Sequence, residues 1–395
     1  MRISSQTRHT AGQRTLTSAR SGSLLGYCKF FALTLGAVSE GPHVHDPLGV
    51  RRRRRRAVTW LLGLLAAAAA TVVVAVGLGA AYVTPGTVAQ ILGHHLLGLP
   101  ETGWKATEEA IVWKVRLPRV LLGALVGAGL AVTGMALQAM VRNMLADPYL
   151  LGINSGASSG AAAAILFGAG TGLGAYALPG SAFLGALAAS FLVFALARSG
   201  GQGHLSAAAG LRCRGRLSAL RPDQLPDLRL GLGRRARSVM FWLLGSLGLA
   251  QWDGLLAVVA VAVIATITLL TLSGRGLDAL AIGNETAYTL GVSPDRFRTL
   301  LLVVVALTVG VVVSAAGSIG FVGLVVPHLA RRAVGSAHAV AVPAAALMGA
   351  ILLVWADVLA RVLLQPQEIP IGIVTALLGA PFLIVLIRRF SARDV

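Results

Sequence analysis

The chain has 395 residues, 56% of them hydrophobic and only 12% charged, with a mean hydropathy of +0.77. A soluble domain carries about a quarter charged residues, so that class is excluded. The net charge of +19 does not mark a polynucleotide binder. Basic residues exceed acids by 9 in residues 1–56 and by 6 in 199–237, arms without a folded context or aromatics interleaved among the arginines, and by only 4 elsewhere.

Residues 1–49 are rich in Ser, Thr and Gly and show no clear signal-peptide cleavage site. They read either as a genuine extension or as sequence upstream of a true start near Val50. The run Arg51–Arg56 follows, so 1–56 is treated as an N-terminal extension ending in a basic run and 57–395 as the membrane domain. Apolar stretches near 57–83, 119–141, 149–168, 179–198, 254–273, 299–316, 318–334, 339–361 and 370–389 are each read as a membrane span. A span needs about 20 apolar residues. The abundance of glycine, 48 residues, suits helices that pack closely through small side chains. The fold class is therefore all-α, a polytopic membrane protein.

The hexa-arginine run places the N-terminus in the cytoplasm, in a cell membrane. Alternation then puts Arg142 and Arg198 on the same side, and Arg275, Arg296, Arg298, Arg331, Arg332, Arg388, Arg389 and Arg393 belong there too. One inconsistency remains: only the span 254–273 lies between Arg198 and Arg275, and one crossing cannot begin and end on the same side. The stretch 238–250, "SVMFWLLGSLGLA", is too short to supply the missing crossing.

Two accounts of 199–237, with its eight arginines, stand. It is a true cytoplasmic loop with 238–250 re-entering the membrane, or 203–236 is a fifth helix read in a shifted frame. The genetic code permits the second. Asp223 to Leu228 can be written GAC CAG CTT CCT GAT CTT, which one base later reads Thr-Ser-Phe-Leu-Ile-Phe when the next base is C, as a CGN codon for Arg229 provides.

The stretch "VWKVRLPRVLLGALVGAGLAVTGMALQAMVRNMLADPYLLGINSGAS" (112–158) resembles the permeases of iron-chelate (siderophore and haem) and vitamin B12 ABC importers, of the type II class. So do "DALAIGNETAYTLGVSPDRFR" (278–298), "AGSIGFVGLVVPHLARRAVG" (316–335), "WADVLAR" (355–361) and "EIPIGIVTALLGAPFLIVLIRR" (368–389). The resemblance covers nearly all of 57–395 except 203–236. It implies a ten-helix permease fold with the fifth helix corrupted here. It also implies a second permease copy, a homodimer or close homologue, with separate ATPase subunits and an extracytoplasmic substrate-binding protein. The cargo it implies is a metal chelate, with iron-siderophore the commonest in the family.

The loop 277–297 carries little apolar surface and reads as two short helices split by Gly283 and Gly291. The resemblance makes it the element that couples to the ATPase, through Leu277, Gly283, Asn284, Glu285, Ala287, Leu290 and Gly291. The family motif usually has an acid where Asn284 stands, with Glu285 next. Arg116, Arg119 and Arg361 fall at the outer face, against the charge rule. They either snorkel at helix ends, Arg361 pairing with Asp357, or dock acidic side chains of the binding protein, as the resemblance implies. Gly320, Gly323 and Pro327 read as packing positions, and His328 as structural. His94 and His95 have no convincing metal-ligand spacing, and no metal or cofactor is expected in this chain.

There is no G-x-x-x-x-G-K-[ST] loop, so ATP is expected to be used by partner subunits, and no catalytic constellation is present. An ion-gradient-driven transporter or channel is the alternative, disfavoured because the spans are nearly free of charge. A third reading is a non-functional product of a disrupted gene.

Overall fold

The computed structural model describes residues 50–79, 81–100, 103–168, 170–198, 235–236, 238–365 and 367–391. By its contacts the chain divides into Met1–Arg51 and Arg52–Val395, and the second unit is described below. The extension 1–49 and residues 203–234 of the suspected shifted frame lie outside the described residues.

Among the described residues the structure is helical, without a strand. Helix α1 is Val50–Gly77, α2 Pro85–Leu97, α3 Ala106–Val141, α4 Ile153–Phe167 and α5 Ala177–Arg198. Residues 235–236 and 238–243 are helical and precede α6 Gly254–Leu272, α7 Gly274–Ile282, α8 Asn284–Thr289 and α9 Pro294–Ala316. Then come α10 Val322–Val334, α11 His338–Val362 and α12 Ile371–Ser391. Six of these, α1, α3, α5, α6, α9 and α11, are long and apolar enough to cross a membrane.

Several boundaries differ from the nine stretches read in the sequence. The first helix stops at Gly77 rather than 83, and the outer loop after it holds α2, capped by the Thr84 hydroxyl accepting from the Thr87 amide. The second begins at Ala106, not 119, because π-helical turns over Ala110–Arg116 carry the helix backward through its charged residues. The third shrinks to 15 residues: Pro148–Leu151 form a 3₁₀ turn, and Gly152, at φ 73°, restarts the chain as α4. The segment 318–334 shrinks to the 13 residues of α10, because the backbone is unwound from Gly317 (φ 71°) to Phe321 (φ 69°). A half-buried clasp holds that break, with the Tyr149 hydroxyl donating to Ile319 O (2.9 Å) and accepting from Ile319 N–H (3.0 Å).

Helix α3 is the axis of the bundle. It is buried almost continuously from Val126 to Met140 and packs on α6, α9, α10 and α11. Small residues permit the approach. A Cβ on Gly127 would lie 2.2 Å from Gly349 O of α11, and one on Gly134 would lie 2.0 Å from Gly323 O of α10. Gly323 is thus a packing position, whereas Gly320 has open space around it. Away from the axis the apolar side chains face outward. Val258, Val261 and Ile264 on α6 are each more than half exposed, as suits a surface bathed in lipid chains.

Candidate functional site

At one end of the bundle the three arginines read from the sequence come close together. Arg116 is buried and donates to the carbonyls of Val76 (3.0 Å), Gly77 (3.0 Å) and Ala81 (2.5 Å). Arg361 is buried too and donates to Leu78 O (3.0 Å) and Ala75 O (3.3 Å). These carbonyls include the C-terminal ones of α1, which have no partner within their own helix and carry its partial negative charge. Two guanidiniums therefore finish α1. Both are turned inward, and Arg361 also pairs with Asp357, the plainer of the two readings the sequence offered for it.

Arg119, 12% exposed, turns to carboxylates instead of carbonyls. Its Nε donates to Asp357 Oδ1 (3.0 Å), while Nη1 and Nη2 form a fork on Glu368 Oε1 (3.0 Å) and Oε2 (2.9 Å). Asp357 is shared with Arg361, whose Nε is 2.9 Å from Oδ2, close enough to pair charges though not aligned as a hydrogen bond. Beside Arg119 lies a cavity of about 890 Å³, with Glu368, Trp242, Ser246, Ser314 and Ile371 in its wall. Glu368, inside a quoted motif, was not singled out in the sequence; only the fold shows that it faces Arg119.

A second cluster at this end was also missed. His95 stacks on Trp113 at 4.1 Å and its Nε2 lies 2.8 Å from Glu109 Oε1, while Trp252 Nε1 donates to Trp113 O (2.6 Å). It ties α2, the start of α3 and the chain before α6 together. His94 and His95 thus belong to packing. Among the described residues no three His, Cys, Asp or Glu side chains come together as metal ligands.

The opposite end carries α7 and α8, parted at Gly283. Leu277 and Ala287 are buried anchors, Glu285 is exposed in the first turn of α8, and Asn284 Oδ1 accepts from Arg298 Nη2 (2.8 Å). Gly291, at φ 77°, turns the chain toward α9. The surface is more apolar than the sequence reading held. Ile282, Tyr288 and Leu290 are 70%, 59% and 65% exposed, because the short helices turn them away from the bundle. Asp278 of α7 reaches across to α11, where its Oδ1 accepts from the His338 backbone N–H (3.0 Å) and contacts His338 Nδ1 (2.6 Å).

Both ends meet on one element. Helix α11 begins at His338, held by Asp278, and carries Asp357 and Arg361 near its other end. Its 25 residues span about 37 Å at 1.5 Å per residue. The bundle of apolar helices, with a short helix pair at one end and an ion-paired arginine cluster at the other, is that of a polytopic membrane protein.

Relatives agree. The profile of the FecCD transport family matches residues 67–389. The chain is 42% identical over 296 residues to the cobalamin import system permease protein BtuC of Halobacterium salinarum, covering 75% of this chain and 77% of that one. It is 40% identical over 300 residues to the hemin transport system permease protein HmuU of Yersinia pestis (73% and 87%). Against the Fe(3+)-citrate import system permease protein YfmD of Bacillus subtilis the figure is 37% over 289 residues (71% and 82%). A solved metal-chelate type ABC transporter in an inward-facing conformation superimposes with a TM-score of 0.65 at 29% identity, covering 83% of this chain and 98% of that one. The chain belongs to the FecCD transport family and is a membrane-spanning permease subunit of an ABC importer, not an enzyme. Such a permease works with ATPase subunits and a binding protein.

Proposed function

We propose that this permease, paired with a second copy of itself or a close homologue, forms the pathway for an iron chelate, a ferric siderophore in the first instance. The chelate arrives from an extracytoplasmic binding protein and separate ATPase subunits drive its passage, with the N-terminus of the permease in the cytoplasm. The observation that carries this reading is α11, which joins Asp278 of the α7–α8 pair to the arginine cluster at the far end. The pair α7–α8, with Glu285 and Gly291 at its surface, is the ATPase-coupling element, and the exposed Ile282, Tyr288 and Leu290 give it a greasy face to seat in a groove. Arg119 is the contact for a carboxylate of the binding protein, while Arg116 and Arg361 hold the platform beneath it. The relatives include haem and ferric citrate permeases and, at similar identity, several cobalamin permeases, so they support a metal chelate without choosing between iron and cobalamin.

Uptake into proteoliposomes holding the permease and its ATPase, with the cognate binding protein outside, distinguishes the cargoes. A ferric siderophore is expected to accumulate, and haem or cobalamin accumulating in its place would reassign the cargo.

A further inference from the structure

Three donors of Arg119 are engaged by two acids of very different standing. Asp357 holds the Nε edge, is only 2% exposed, and is held a second time by Arg361. Glu368 holds the terminal fork in a two-point pair, the geometry in which guanidinium binds carboxylate best, and its side chain is 51% exposed. The fork that would receive a partner's acid already holds an internal one. The Arg119 side chain is itself 12% exposed, so the fork is reached from the Glu368 side, where a half-exposed pair is worth less than the buried one with Asp357.

Glu368 also sits on a segment that matters to the cavity. Ile369 N–H donates to Ala360 O near the end of α11 (3.0 Å). Ile371 and Gly372 N–H donate to Gly245 O (3.3 Å) and Leu244 O (2.9 Å) in the turn after helix 238–243. The stretch 368–372 thus links the end of α11, the turn at 244–246 and the start of α12, and Glu368, Ser246 and Ile371 all line the cavity. The Arg119 guanidinium holds the Glu368 carboxyl below the usual carboxylate range, so the pair stays charged at neutral pH and is opened by competition rather than by titration.

We propose that Glu368 is an internal stand-in for the binding protein's carboxylate, so that docking is an exchange of acids on Arg119 at the edge of the cavity. This rests on the reading of Arg119 as the docking contact. The test is the affinity of the complete permease–ATPase complex in nanodiscs for its cognate binding protein, without cargo. Glu368→Gln removes the competitor's charge and is expected to tighten binding roughly two- to fivefold, the range that an exposed ion pair commands. Glu368→Asp keeps the charge and is expected to stay near wild type, and Arg119→Glu is expected to abolish the interaction. Unchanged or weaker binding by Glu368→Gln, with Arg119→Glu still abolishing it, would overturn the exchange and leave the docking contact standing. Unchanged binding by Arg119→Glu would overturn the docking contact itself, and the exchange with it.

Discussion

Asp357 lies almost wholly buried between two guanidiniums, 3.0 Å from Arg119 and 2.9 Å from Arg361. Removing it leaves the buried Arg361 without a carboxylate and Arg119 with Glu368 alone. Breaking a buried pair in this way costs about 3–5 kcal/mol. Asp357→Ala is therefore expected to lower the thermal midpoint of the purified protein sharply, while Glu368→Ala, at a half-exposed pair, changes stability by roughly 0–1 kcal/mol. Equal effects of the two would contradict this ranking. The contribution of Glu368 also has a defined pH window. Its carboxyl is held below the ordinary value of 4.5, so its stabilisation is fully present above that value and fades as pH falls through the lowered folded one. The difference in midpoint between wild type and Glu368→Gln should accordingly vanish in acid and persist at pH 7. At this scale the sequence was half legible. Arg116, Arg119 and Arg361 stood out as cations at the wrong end of their spans. Asp357 was legible as the i, i+4 partner of Arg361, but Glu368 and the carbonyl partners were not, because Val76 and Gly77 are about 40 positions from Arg116 in the chain.

The elements were legible where they are long and uniformly apolar, as in α6 and α9, and misread where the backbone departs from the α-helix. Hydropathy alone cannot see the π turns of Ala110–Arg116 or the unwound Gly317–Phe321, the second of which is held by the Tyr149 clasp. The glycine contacts are likewise a property of pairs. Gly127→Leu drives a side chain into Gly349 O, and overpacking of this kind costs about 1–3 kcal/mol or more. It should shift the thermal midpoint, whereas Gly63→Leu, with open space around it, should not. The helix 238–243 raises a different question. So short a stretch of helix does not sustain itself, and Met240 and Phe241 present apolar surface outward. We propose that it is the end of a longer fifth helix whose preceding residues, 203–236, are encoded in a shifted frame. Sequencing the gene should find an insertion or deletion near codon 200 and a compensating one near codon 236. Verified DNA encoding "RPDQLPDLRLGLG" in frame, with uptake measured in cells, would make the segment a genuine loop.

For the molecule as a whole, the order of the motifs made the permease class readable, and the two ends of the bundle were each marked in the sequence. What joins them was not. Asp278 and His338 are 60 residues apart, and nothing in either neighbourhood announces that one receives the other. The account holds that α11 carries the state of the α7–α8 pair to the arginine cluster, so that ATP hydrolysis and binding-protein docking sense each other. The most direct measurement is ATP hydrolysis by the reconstituted permease–ATPase complex, with and without the cognate binding protein, in wild type and in Asp278→Ala. The account predicts that the binding protein stimulates hydrolysis in wild type and that Asp278→Ala loses this stimulation while the complex stays assembled. Stimulation of wild-type size in Asp278→Ala would contradict it.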